Sequence, residues 1–272
     1  MSNRVSGEKK GTGIGIFTVG GVAGFALGPL VATAAILMWG LKGTLVLIIP
    51  VVVMSLVLFR HFKNPDAAGG GSPQMQKATE VIKQADQWGP FFRLSLVVFC
   101  RSTVFYGLNT FIPLYWLHNL GQTAAASGTA LTLLFVVGAL FTLIGGRLAD
   151  RFGYITMIRI GFAGLSPVLF AFLSTTDATV ATMLLVPIGF GLFAPWGPVI
   201  VLGQKYLPNR MGLASGVTLG LAVSVGGVTA PALGWIADHH GLEQTLKLLA
   251  FIPILAALLI FTLPDPGTEA ER

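Results

Sequence analysis

Apolar residues in this chain run in blocks and do not alternate with polar ones. Eight blocks, at residues 14–38, 43–60, 91–117, 124–145, 155–174, 179–202, 212–235 and 245–263, are mostly apolar. Each is near the length of about 20 residues that a helix needs to cross a bilayer. Strands of a membrane barrel would alternate over segments of about ten residues, a pattern the chain lacks. The blocks therefore predict an all-α polytopic membrane protein of eight transmembrane helices. Residues 61–89 interrupt the pattern with Ala67-Ala68-Gly69-Gly70-Gly71-Ser72-Pro73, then polar, helix-compatible residues from Gln76 to Gln87. This reads as a linker with a short surface helix. The chain divides as two helices plus six: 1–60, the linker 61–89, a six-helix bundle at 90–264 and a tail at 265–272.

Charge sets an expected orientation. With the N-terminus in the cytoplasm, 14 of the 17 Lys and Arg residues fall on the cytoplasmic side. Only Lys42 and Lys247 fall outside, and Arg101 lies within a block. Basic residues concentrate in cytoplasmic loops, so both termini are expected in the cytoplasm and the protein in the cell membrane.

Composition narrows the chemistry. The chain is 54% hydrophobic and 10% charged, against about 25% charged in soluble domains, so most of its surface must face lipid. The net charge of +6 sits at helix ends and forms no basic stripe with aromatics, which argues against nucleic acid. The single cysteine, Cys100, allows no internal disulfide or Cys-based metal site. No metal or cofactor is expected. The glycines Gly11, Gly13 and Gly15 lack the strand and spacing of a dinucleotide loop, and no Ser, His and acid approach a triad. An enzyme is not expected.

A repeat bears on organisation. Val19-Gly20-Gly21-Val22 recurs as Val225-Gly226-Gly227-Val228, and in the same register Ala26 matches Ala232 and Gly28 matches Gly234. Helices 1 and 2 thus look like copies of helices 7 and 8, which implies six helices per repeat. A two-repeat protein would have twelve, so four further helices are expected upstream. Parallel six-helix repeats are the architecture of major facilitator transporters.

Arg101 lies about ten residues inside its apolar block, near mid-bilayer. A charge there costs several kcal/mol and marks a functional position by default. Ser102, Tyr106 and Asn109 follow at i, i+4 and i+7, one helical face expected to line a cavity. Arg101 suits an anionic group such as a phosphonate or carboxylate; the alternative is a structural arginine bonded to helix carbonyls. Trp196, between Pro195 and Gly197, is a further candidate for the cavity wall, or a packing aromatic. All eleven acids lie in loops, helix ends or tails, so a proton carrier within the spans is not evident. His239 and His240 read as a solvated pair in the outer loop.

Gly145-Gly146-Arg147-Leu148-Ala149-Asp150-Arg151-Phe152-Gly153-Tyr154 resembles the signature loop of the major facilitator superfamily, matching at Gly146, Leu148, Ala149, Asp150, Arg151 and Gly153. Tyr154 replaces the usual basic residue. The resemblance implies a conformational loop at Gly146, Arg147, Asp150, Arg151 and Gly153. Gly15, Gly24, Gly28 and Pro29 resemble the antiporter signature of proton-coupled drug exporters, departing from it at Ala32 and Thr33. Together with Phe111-Ile112-Pro113-Leu114-Tyr115 and Gly203 through Gly216, the chain is similar to fosmidomycin-resistance-type exporters of that superfamily. The resemblance implies a partial major facilitator fold, alternating access, and proton-coupled export of a drug or small organic anion. Its partners would be that solute, protons and the lipid bilayer, with a second chain as one source of the missing helices. The alternative is a non-transporting remnant or membrane scaffold.

Overall fold

The structure is a computed structural model that describes residues 48–62 and 85–265, with isolated positions at 24, 38–40, 43 and 45. Two compact units are present, Gly24–Ala85 and a larger one built on Asp86–Arg272. In the smaller, α1 (Ile48–Phe62) is apolar up to Phe59 apart from Ser55, and exposes Ile49, Val51, Met54 and Phe59. The expected helix at 14–38, the repeat at Val19 and the surface helix at 76–87 lie outside the described residues, apart from Gly24 and Met38.

The larger unit follows the predicted blocks closely. Its helices are α2 (Trp88–His118), α3 (Ala124–Phe152), α4 (Tyr154–Ser174), α5 (Ala178–Phe193), α6 (Trp196–Tyr206), α7 (Met211–His240) and α8 (Leu242–Phe261). A 3-10 turn, Pro208–Arg210, joins α6 to α7. With α5 and α6 counted as one run, six helices among the described residues are long and apolar enough to cross a membrane. Short connections make successive spans antiparallel.

The connections are shorter than the sequence suggests. The signature loop is almost entirely helical: Gly146, Arg147, Asp150 and Arg151 extend α3, and only Gly153, at φ 93°, forms the turn. Leu148, Ala149 and both arginines are good helix formers, and the glycine alone takes the left-handed turn at no steric cost. The loop expected at His239 and His240 is likewise helical. Both belong to the last turn of α7, and Gly241, at φ 87°, is the whole connection to α8. His239 stacks on Trp235 with ring centroids 4.4 Å apart.

Close packing rests on small residues, as expected where lipid supplies no hydrophobic drive between helices. Gly107 of α2 faces Leu249 and Leu233, and Gly161 of α4 meets Gly191 of α5 backbone to backbone. The outward faces carry Phe92, Leu140, Met183, Val223 and Phe251, a surface suited to hydrocarbon. One end of the unit is tied by Gln87 N–H donating to the Tyr206 carbonyl at 2.8 Å, Tyr206 Oη to the Pro264 carbonyl at 2.7 Å, and Arg210 paired with Asp86 at 3.6 Å. At the other end Tyr115 Oη donates to the Thr175 carbonyl at 3.2 Å.

Asp177 caps α5, accepting the Thr179 N–H at 2.7 Å. That bond holds its carboxyl below the usual carboxylate range. A depressed folded pKa stabilises the native state fully above the unfolded value of about 4, and the benefit is lost as pH falls through the folded value. The melting advantage of the parent chain over Asp177→Ala should therefore be present at about pH 7 and shrink steadily as pH falls below about 4. An advantage independent of pH would show that the carboxylate charge is not what caps the helix.

Candidate functional site

Arg101 is the fourteenth residue of α2, about 20 Å along its axis, and is buried. It faces the point where the fourth span of the larger unit breaks. Pro195 has no N–H and cannot continue the ladder of α5, so the chain turns at Ala194 and Pro195 before α6 starts at Trp196. The last carbonyls of a helix lack intrahelical donors and carry partial negative charge. Arg101 Nε donates to one of them, Leu192 O, at 3.2 Å. Its guanidinium lies 4.1 Å from the Trp196 ring centroid and 5.0 Å from that of Phe105. The charge is thus held by a carbonyl and two aromatic faces, a favourable arrangement where water is excluded.

The break is built from both sides. A Cβ on Gly145 of α3 would run into the backbone of Ala194, one on Gly138 into the Phe193 ring, and one on Gly161 into Pro195. Phe105, Phe135 and Phe193 form an edge-to-face cluster with centroids 5.8–6.2 Å apart. The sequence reading missed Phe105, Phe193 and the Leu192 carbonyl. Phe105 was legible as the residue one turn after Arg101; the carbonyl was not, because its availability depends on a neighbouring helix.

The structure brings Arg101 and Trp196 together and turns Ser102 of the polar stripe away from them. Ser102 is fully enclosed and its Oγ has no hydrogen-bond partner among the described residues. One residue on from Arg101, it points about 100° away round the helix, so it lines no open cavity. Tyr106 is half-buried with its ring against Gly226 of α7, and Asn109 is half-buried. Among the described residues neither the Tyr106 hydroxyl nor the Asn109 side chain makes a hydrogen bond. Of the five N–H donors of Arg101, Nε alone bonds within the described residues.

At the end of α3, Tyr154 Oη donates to Asp150 at 3.1 Å, and Lys205 of α6 sits 4.5 Å above the Tyr154 ring. A cation from another helix thus stands beside the position where the signature places a basic side chain. Gly146 is buried, Arg147 is exposed, and Arg151 lies over Phe152. Of the antiporter-like residues Gly24 is helical and exposed, while Gly15, Gly28 and Pro29 lie outside the described residues.

A cleft of about 740 Å³ opens between α3 and α5 near Trp116 and Gln122. It is distant in sequence from Arg101. Its Thr129, Thr132 and Thr182 hydroxyls all bond carbonyls of their own helices, so it offers little specific recognition. The chemistry points to Arg101.

Long apolar spans, small-residue contacts and a charge held at mid-span make this a multi-pass α-helical membrane protein. Residues 1–231 match the Major Facilitator Superfamily, and the chain belongs to that family, one of membrane transporters and not of enzymes. It is 30% identical to the fosmidomycin resistance protein of Escherichia coli (strain K12), over 97% of this chain and 65% of that protein. It is 28% identical to the uncharacterized MFS-type transporter YfnC of Bacillus subtilis (strain 168), over 96% of this chain and 64% of that protein. The chain thus spans about two-thirds of the length of these relatives.

Proposed function

We propose that this chain forms the greater part of a secondary transporter that moves a small organic anion across the cell membrane by alternating access, exporting it against protons. The observation that carries the reading is Arg101, a mid-span guanidinium with one hydrogen bond, seated on Trp196 at a broken helix. Half-helix ends within a membrane are where transporters of several folds place solute and ion sites. Under this reading Tyr106 and Asn109 add neutral donors along the same helix. The three residues Asp150, Tyr154 and Lys205 tie the cytoplasmic ends of α3, α4 and α6 in one state of the cycle. Residues 1–60 would complete an N-terminal bundle whose other four helices lie upstream, with 61–89 as the linker, 90–264 as the second bundle and 265–272 as a cytoplasmic tail. Gly15, Gly24, Gly28 and Pro29 would form an antiporter-type helix, and both termini would be cytoplasmic. The described spans hold no acid away from their ends, so the proton carrier is assigned to the upstream helices.

The phosphonate fosmidomycin, suggested by the name of the relative, is the first solute to test. Proteoliposomes carrying this chain, alone or joined to an upstream four-helix segment, are loaded with it and given an inward proton gradient. Gradient-dependent efflux is expected from the joined form. Efflux from neither form, for fosmidomycin and a panel of small carboxylates, would overturn anion export. Efflux from the chain alone would show that eight helices suffice.

A second reading has its own support. The Nε bond to Leu192 and the two aromatic faces already satisfy much of Arg101, which fits a clamp that holds the broken span in shape.

A further inference from the structure

Two arginines away from the transport site converge on the end of α8. Arg93 of α2 donates from Nη1 to the carbonyl of Thr262 at 3.0 Å. Arg159 of α4 places its guanidinium 5.2 Å from the ring centroid of Phe261. Its Nε is enclosed and has no hydrogen-bond partner among the described residues. Each arginine lies five residues from the start of its helix, so both sit about 8 Å inside the same end of the unit. Among the described residues neither forms an ion pair, whereas Arg210 at the same end pairs with Asp86.

The surroundings are apolar and outward-facing. Phe92 is 73% exposed and Phe261 60%, and Ile160 and Leu258 are exposed beside them. That combination places two cations at the boundary between hydrocarbon and headgroups, above side chains suited to acyl chains. A guanidinium stacked on an aromatic ring keeps its edge N–H groups free for a planar or tetrahedral oxyanion. Among the described residues Arg159 spends none of its donors on the protein, and Arg93 spends one. The chemistry that suits two guanidiniums set above exposed apolar side chains is an anion that carries its own apolar tails.

We propose that Arg93, Arg159 and the Phe261–Thr262 end of α8 form a binding site for the phosphodiester headgroup of an anionic glycerophospholipid, on the leaflet where the basic residues of this chain gather. The phosphodiester oxygens accept from both guanidiniums, and the tails lie along Phe92, Ile160 and Leu258. This site is independent of the transport reading.

The test is native mass spectrometry of the delipidated full chain with added phosphatidylglycerol or phosphatidylcholine of matched tails. An arginine near an anionic surface contributes about fivefold in affinity. Phosphatidylglycerol should therefore bind about tenfold or more in excess of phosphatidylcholine, and Arg93→Gln with Arg159→Gln should remove that excess. Inorganic phosphate at millimolar concentration should not displace the lipid. Equal retention of the two lipids by the parent chain overturns the proposal, as does an excess that survives both substitutions. Displacement by phosphate alone would assign the site to a free anion and overturn the lipid. Should the double variant fail to fold, Arg93→Lys with Arg159→Lys, which keeps charge but loses the stacked fork, is expected to bind with a reduced excess; an undiminished excess counts against the site.

Discussion

Arg101→Gln is expected to abolish most anion flux while leaving the protein folded, whereas Arg101→Lys should keep a measurable part of it. Two opposed terms act on stability. The hydrogen bond from a charged Nε to Leu192 contributes about 1.5–3 kcal/mol, and the stack on Trp196 about 0.5–2 kcal/mol. Against them stands the cost of holding a charge at mid-span, itself several kcal/mol. Removing the charge removes both, so the melting temperature should shift little. Glutamine also retains an N–H donor for the carbonyl of the broken helix. Flux has no such compensation. Losing a charge-assisted contact to the solute should cost roughly 10- to 150-fold. Proteoliposome flux and thermal melting, measured on the same preparations, separate the two roles of Arg101. Full flux in Arg101→Gln would leave the residue as a clamp alone. Loss of flux in proportion to loss of folded protein would say the same.

Gly145→Ala should be among the most damaging single-methyl changes in the chain. Its Cβ would overlap the Cα, carbonyl carbon and oxygen of Ala194. Backbone at a helix break cannot swing aside as a side chain does. Overpacking of this kind costs about 1–3 kcal/mol even where side chains can yield, so the upper end or beyond is expected here. Gly138→Ala, which meets only the Phe193 ring, should cost less. Gly164→Ala, on the same bundle with nothing within 4 Å, should be neutral or slightly stabilising, since alanine is the better helix former. Melting temperatures of the three variants in detergent test the order. The account of the break would be falsified if Gly145→Ala melted with Gly164→Ala.

The positions of the spans were legible because lipid imposes a simple rule: every helix that crosses must be apolar for about 20 residues. Blocks at 91–117 and 155–174 became α2 and α4 within a few residues. Arg101 was legible for the same reason, since a charge inside such a block needs a purpose. The signature around Asp150 was readable as a resemblance, but its shape was not. Gly145 and Gly146, residues that favour loops in water, are both helical here, and α3 packs Gly145 against Ala194. The block at 179–202 read as one helix. Pro187 lies within α5 without ending it, whereas the chain breaks at Pro195.

The amino-acid sequence by itself determined the class of protein, the number and order of the spans in the larger unit, and the depth of its one mid-span charge. These depend on local composition against a fixed solvent, the bilayer. Only the tertiary structure decided that Arg101 meets Leu192 and Trp196, that Ser102 turns away into the core, and that Lys205 stands over Tyr154. Those outcomes depend on which helix faces which, and on a carbonyl freed by a break in a different span, which no pattern along a single helix records.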